Sequence, residues 1–308
     1  MGKLTEAGID VSKDVLDVAM RCNGTGLETA RFDNEAGGHG KLVRWLTKRG
    51  HTARVVLEAT GTYSLDVALA LQRARGIEVM VANPRAIKQF AGALMQRSKT
   101  DLTAAVALHE YATRMPFVVW VPPAEPVLHL RAMARRIAAL VVERTRERNR
   151  LHALTASAEH LDVVANDIAV NIRHLERRIA LLTAQAVALI ASDADLQRAY
   201  DRLTSVPGIA TRSAVQLLPE LLVLPADMTV RQWVAHAGLD PRAYQSGTSV
   251  HKPARISKVG NAHIRRVLYM PALVAVQREP RVTAFFDQLI ARGKKPLQAY
   301  VAVMRKLL

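Results

Sequence analysis

Three carboxylates hold the positions from which this sequence can do chemistry. Asp10 lies in GIDVSKD, Glu58 in VVLEATGTY and Asp101 in SKTDLTAAVAL. The first two close apolar segments that read as strands, and the third opens a helical one. Acids at the ends of adjacent strands converge at one edge of a sheet, where open α/β folds place their sites. Crowded carboxylates repel unless a cation neutralises them, so the set points to divalent metal. Two Mg2+ or Mn2+ ions about 4 Å apart would activate an attacking oxygen and stabilise the leaving oxygen of a phosphodiester. Taken singly, each acid reads as well as a turn or cap residue, Asp101 after Thr100 above all. Asp14 and Asp17 are the nearby competitors. Asp17 falls on the second strand of the same hairpin and ranks lower.

The charge says what such a site would meet. Lys and Arg number 43 against 27 Asp and Glu, a net charge of +16. Residues 201–308 concentrate it, with 16 basic against 6 acidic side chains. No acid falls between Asp240 and Glu279, while Arg242, Lys252, Arg255, Lys258, Arg265, Arg266 and Arg278 do. A one-signed field of this kind attracts polyanions and makes binding salt-dependent. Lys252, Arg255, Lys258, Arg265 and Arg266 read as contacts to a nucleic-acid backbone, which position without specifying sequence. His251 and His263 have no partner at metal-ligand spacing and read as phosphate or solvent contacts. Tyr244 invites comparison with tyrosine recombinases, but no Arg-His-Arg set surrounds it. No amphipathic anchor accompanies the charge, and no apolar run approaches the ~20 residues needed to span a bilayer. With no secretory segment at the start and one cysteine, Cys22, the expectation is a cytoplasmic, membrane-free protein.

The elements that must carry these residues form three regions. Residues 1–118 alternate strand and helix signals: LTEAGIDV and VLDVAMR as a hairpin, ETARFDN as a third strand, then RVVLEA and IEVMVANP. Helices are expected over EAGGHGKLVRWLTKRG, stopping at Gly50, and over LDVALALQRARG. This is a mixed α/β sheet with helices on its faces. WVPPAEP at 120–126 is a break. Across 124–192 apolar residues recur at heptad spacing, Leu130, Met133, Ile137, Leu140, Leu151 and Leu154, then Ile168, Ile172, Leu175, Ile179, Leu182 and Leu189. Arg144 and Glu147 interrupt the first series. Two long helices, as an antiparallel pair or an intermolecular coiled coil, follow from it. Residues 195–308 read as helical with one long loop, GLDPRAYQSGTSVHKPARISKVGNAH, free of acids after Asp240. SVPGIATRSAVQLL looks like a helix-hairpin-helix, whose turn amides can grip a phosphate.

These segments together resemble the DEDD-type transposases of bacterial insertion sequences, related to the Piv-like DNA invertases and recognised as bridge-RNA-guided recombinases. The likeness spans nearly the whole chain. It rests in front on GIDVSKDVLDVA, FDNEAGG, VVLEATGTY, VANPRAIKQFA and SKTD, and behind on SVPGIATRSA, HAGLDPRAYQSG, RISKVGNAHIRRVLY and VAVMRKLL. It implies a ribonuclease-H-like (RuvC-like) front domain, a coiled-coil spacer and a mainly helical C-terminal transposase domain. Asp10, Glu58 and Asp101 match the first three acids of the DEDD set. The fourth position, three residues after Asp101, is Ala104 in KTDLTAA, where the family pattern reads KTDxxDA. Losing one carboxylate weakens a two-metal site and puts catalysis by this chain in question.

The resemblance also maps the family's nucleophilic serine to Ser246. Gly247 beside it gives a backbone that lets a phosphate approach, and the basic surroundings can stabilise developing charge. Its activation would come from the metal-bound carboxylates of the front domain. Ser249 and Ser257 lie nearby in no matching motif. The implied protein is a homo-oligomer, dimer or tetramer, binding a structured noncoding guide RNA and donor and target DNA duplexes. It would exchange strands through a phosphoserine link. The rivals are a Holliday-junction-resolvase-like metal nuclease and a catalytically dead nucleic-acid-binding relative. The RKLL ending is abrupt for the family, so further residues are expected after Leu308.

Overall fold

A computed structural model describes residues 4–22, 26–59, 61–95, 100–157, 161–246 and 250–308. The chain divides into two compact units between Pro122 and Pro123. The first is built on five strands, β1 (Leu4–Val11), β2 (Val15–Cys22), β3 (Glu28–Asp33), β4 (Thr52–Glu58) and β5 (Ile77–Ala82). They lie in the order β3-β2-β1-β4-β5, with β1, β4 and β5 parallel and β2 antiparallel to both its neighbours. The central strands β1 and β4 are buried on both faces, as near-continuous apolar runs require, whereas edge strand β3 alternates half-buried and exposed residues.

Helices cover both faces. α1 (Ala36–Leu46) and α2 (Thr62–Arg73) pack Leu42, Leu46, Val67 and Leu71 against Ile9, Leu16, Val18, Val55 and Leu57. α3 (Pro84–Ala93) and α4 (Asp101–Arg114) close the other face, where Ile87, Leu108 and Tyr111 meet Val56 and Ala82. The sheet and its helices match the fold expected from the sequence. The helix expected to run to Gly50 ends at Leu46, and a 3-10 turn over Lys48–Gly50 carries the chain to the positive φ of that glycine.

One approach sets the register of α4 on the sheet. A methyl group added to Gly8 would stand 2.2 Å from the backbone nitrogen of His109 and 2.3 Å from the carbonyl oxygen of Ala105. Glycine in β1 therefore lets a helix backbone touch a strand backbone. His109 Nδ1 lies 3.1 Å from the Glu6 carbonyl oxygen, and Thr113 donates to the Glu6 carboxylate at 3.0 Å. As β1 advances toward Asp10, α4 thus runs back toward Asp101.

The second unit opens with an antiparallel pair, α5 (Glu125–Thr155) and α6 (Asp162–Ala191), whose seam buries Leu130, Ile137, Leu140, Ile172, Leu175 and Ile179. Toward the tip Leu161, Val163, Val164 and Val170 are exposed. Then come α7 (Ala194–Thr204), α8 (Thr211–Leu222), α9 (Val230–His236), β6 (Pro241–Ser246), β7 (Val250–Ile256), α10 (Ala262–Arg278), α11 (Pro280–Ala291) and α12 (Pro296–Leu307). The stretch read as one long loop is in its middle an antiparallel β-ribbon. Pro253 disguised it, because proline breaks a strand pattern; here it sits at the register shift between Arg242 and Tyr244, where no ladder bond is required of it. The α7–α8 turn forms as expected, but Gly208, at φ +92°, is pressed against the Pro271 carbonyl of α10, so packing demands this glycine. No single helix among the described residues is long and apolar enough to cross a membrane.

Gly8→Ala is expected to cost about 3 kcal/mol, the upper end of overpacking penalties, because both obstructing groups are backbone and cannot rotate away. Chemical denaturation of the purified variant measures it.

Candidate active site

The carboxyl ends of β1 and β4 carry two of the acids. The strands pair from Leu4 with Thr52 to Ile9 with Leu57, and the next residues along are Asp10 and Glu58. Side chains alternate between faces. Gly8 and Val56 face α4, so Asp10 and Glu58, each two residues on, belong to that face as well. Across the sheet Asp10 pairs with Asp17, and Asp17 with Arg31 of β3. Asp17 is buried and receives both Nε and Nη2 of Arg31, at 2.9 and 3.2 Å. That hydrogen bonding and charge raise the Arg31 pKa, with a lesser push from Asp101. Asp17 is therefore neutralised within its own sheet by Arg31.

α4 brings Asp101 to the same face. The helix is capped by Thr100, whose hydroxyl accepts from the Thr103 amide at 3.2 Å while Thr103 Oγ1 accepts from the Thr100 amide at 2.8 Å. The cap is thus Thr100, and Asp101 stands exposed in the first turn, where helix dipoles favour an anion. Ala105 abuts Gly8, and Ala104, half-buried, lies between that contact and Asp101. Among the described residues no three Asp, Glu, His or Cys side chains are grouped to hold one ion. The donors present, all carboxylate oxygens, are of the kind Mg2+ or Mn2+ takes.

Asn34, in FDNEAGG, holds this edge together and was not singled out from the sequence. Its Nδ2 donates to the carbonyls of Ser12 at 2.9 Å and Tyr63 at 3.1 Å, tying the turn after Asp10 to the helix start after Glu58. Oδ1 then faces His39 Nε2 at 2.8 Å, which must carry the proton. Burial lowers the His39 pKa, consistent with a neutral ring.

In the second unit the basic residues group around the ribbon. Arg242 and Arg255 are exposed and directly paired across it. Tyr244 pairs with Lys252, Gln245 with His251 and Ser246 with Val250; of these residues only the backbone is described, and Ser249 lies outside the described residues. Lys258 is exposed at a positive φ of 53°, with its amide bonded to the Gly238 carbonyl. Arg266 is exposed, but Arg265 is half-buried and donates to the Ala237 carbonyl at 2.8 Å, clamping the loop below the ribbon. Ser257 donates to Asp240 at 2.6 Å, which gives that serine a structural task.

Glu220 of α8 is only 1% exposed. Arg135 Nε reaches it at 2.8 Å, Arg131 Nη2 at 3.2 Å and Asn261 Nδ2 at 2.7 Å. Burial pushes this carboxyl up, yet the two arginines and Asn261 outweigh it and hold it at about 2. Asn261 also caps α10, accepting from the amides of His263 and Ile264. Burial lowers the pKa values of His236 and His263 nearby. Neither Glu220 nor Asn261 was picked out from the sequence. The one available signal was an acid inside the apolar run AVQLLPELL.

Comparison with known proteins identifies the family. Residues 7–158 match the DEDD domain of IS110 transposases, and residues 200–287 match the domain described as transposase IS116/IS110/IS902 family. By class the chain is a DNA transposase/recombinase. Pilin gene-inverting proteins of Moraxella bovis and Moraxella lacunata are each 30% identical to it over 313 residues, covering 99% of this chain and 93% of theirs. An uncharacterized 43.6 kDa protein of insertion element IS110 from Streptomyces coelicolor is 28% identical over 146 residues, 47% of this chain and 35% of its own. The chain belongs to the IS110 family of transposases.

A carboxyl whose folded pKa is depressed adds stability above its ordinary value, and that stability is lost as pH falls through the folded value. For Glu220 the window runs from 4.5 down to about 2. Glu220→Gln is expected to cost about 3 kcal/mol at neutral pH, toward the low end for a broken buried pair because Arg131 and Arg135 are 30% and 43% exposed. Urea titrations across that pH window should show wild type and variant converging.

Proposed function

We propose that this transposase cuts and rejoins DNA through Ser246, assisted by a divalent cation at Asp10, Glu58 and Asp101 and directed by a structured noncoding RNA. The observation that carries the reading is the shared face of Asp10 and Glu58 on adjacent parallel strands, toward which the Gly8–Ala105 contact brings the start of α4. In the strand-cutting step the Ser246 oxygen bonds to phosphorus as the phosphorus–oxygen bond to one deoxyribose breaks. The serine proton passes to a base, and the departing sugar oxygen takes up a proton. Attack by the hydroxyl of another strand reverses these steps and frees the serine. Bond energy is kept in the phosphoserine ester, in keeping with a sequence that has no phosphate-binding G-x-x-x-x-G-K-[ST] loop.

The exposed cations Arg242, Arg255, Lys258 and Arg266 would lie along the nucleic-acid backbone, with Lys252 beside them. The cation, Mg2+ or Mn2+, would supply Lewis acidity to a phosphodiester oxygen. We also assign the tripartite division at 1–118, 124–192 and 195–308, a cytoplasmic location and a homo-oligomer, the last supported by the exposed Leu161, Val163, Val164 and Val170 at the α5–α6 tip.

Ala104 in place of a fourth acid supports a second reading, a relative that binds without cutting. Denaturing gels of protein, co-purified RNA, Mg2+ and labelled DNA separate the two for wild type, Ala104→Asp and Ser246→Ala. Serine chemistry predicts a covalent protein–DNA band that strengthens with Ala104→Asp and vanishes with Ser246→Ala. Nicks that persist in Ser246→Ala would assign hydrolysis by water instead, and binding with no cleavage in any variant would leave a binding protein. Calorimetry with Mn2+ should show Ala104→Asp binding roughly tenfold more tightly, the effect of one added carboxylate charge close to the ion.

A further inference from the structure

The heptad interruption at Arg144 marks a second place for an anion. On the α5–α6 seam this position calls for an apolar residue, and a polar side chain there costs stability. Opposite it α6 presents Ile179, Ala180, Thr183, Ala184 and Val187. These mostly small side chains do not fill the space, and a groove of about 650 Å³ remains. Arg148 and Arg212, the latter in the first turn of α8, enter the same groove. Glu176 is the sole acid lining it and pairs with Arg148 at 2.5 Å. Arg212 has no ion pair, and the buried Nε of Arg144 has no hydrogen-bond partner among the described residues. Desolvation, then the charges of Arg148 and Arg212, disfavour the Arg144 cation, while Glu176 favours it. Three arginines against one glutamate leave an uncompensated positive groove, the arrangement that forked guanidinium donors offer to phosphate oxygens.

We infer that this groove seats a phosphodiester of a nucleic-acid backbone, gripped by Arg144 and Arg212 with Arg148 behind them. The seat is separate from the β6–β7 ribbon in residues and rests on the chain's handling of nucleic acid. It would hold the helical pair against the backbone without reading bases.

Fluorescence anisotropy with a labelled random-sequence duplex, repeated over a range of salt, tests it on the full chain. Arg144→Gln/Arg212→Gln should weaken binding and lower the slope of log K against log salt by about 0.9, the value of one phosphate contact. Arg212→Gln alone, at an exposed site, should lower both in part while leaving the fold untouched. The double variant should melt no lower than wild type, since it removes mutually repelling cations. An unchanged slope, or a melting temperature that falls, overturns the proposal. Stabilisation of wild type over the variant by inorganic phosphate, with duplex binding unaltered, also overturns it, by assigning the groove to a free small anion. Wild type with no duplex affinity would sink the nucleic-acid reading beneath the proposal, a result that differs from all of these.

Discussion

Glu220 is the charge around which the C-terminal unit is organised. A carboxylate taken this far out of water is tolerated only if its lone pairs are met by strong donors. Those donors come from α5, through Arg131 and Arg135, and from the head of α10, through Asn261. Satisfying one acid therefore fixes where α5 packs on α8 and where α10 begins. Asn261 extends the constraint, since its amide also donates to the His236 carbonyl at the end of α9. Gly260 and Gly238 permit the close approaches that let the 257–261 segment lie on the 236–240 turn. The ribbon ending in Ser246 is thus the outer end of a chain of contacts that starts at a buried acid.

The N-terminal unit solves a different problem with backbone instead of charge. Its acids sit on elements far apart in sequence, and what aligns them is the closeness of α4 to β1 at Gly8. A larger residue there would lift the helix and carry Asp101 away from the strand ends. Asn34 makes the complementary adjustment at the loops, so that Asp10 and Glu58 leave their strands from turns joined by one side chain. Asp17, a competitor by sequence, is paired with its neighbour Arg31, which takes up its charge inside the sheet.

What could be read from the sequence follows from the range of each signal. Alternation in β3 and apolar runs in β1 and β4 are local, and they yielded the sheet and the acids at its edge. The heptad seam is also local, and it yielded α5 and α6. Signals of long range were missed. Glu220 looks like one charge in an apolar helix until Arg131, 89 positions before it, is brought alongside. Asn34 resembles any turn asparagine until Ser12 and Tyr63 flank it. Arg265 counts as one more cation in a basic stretch until its guanidinium is found on the Ala237 carbonyl. The β6–β7 ribbon failed for a local reason, since Pro253 within β7 reads as a strand breaker.

The facing arginines of that ribbon have a thermodynamic meaning. Like charges opposed across a two-stranded ladder weaken it, and Arg242 and Arg255 are directly opposed, while Asp240, the nearest acid in sequence, is engaged by Ser257. A ligand that binds the paired form better than the frayed form stabilises it, and the dependence is mutual. A polyanion lying across the two arginines therefore tightens the same ladder whose last pair is Ser246 with Val250. Without it the strands part more readily. Polyanion and ladder are in this way conjugate variables of one equilibrium: whatever favours one holds the other in place.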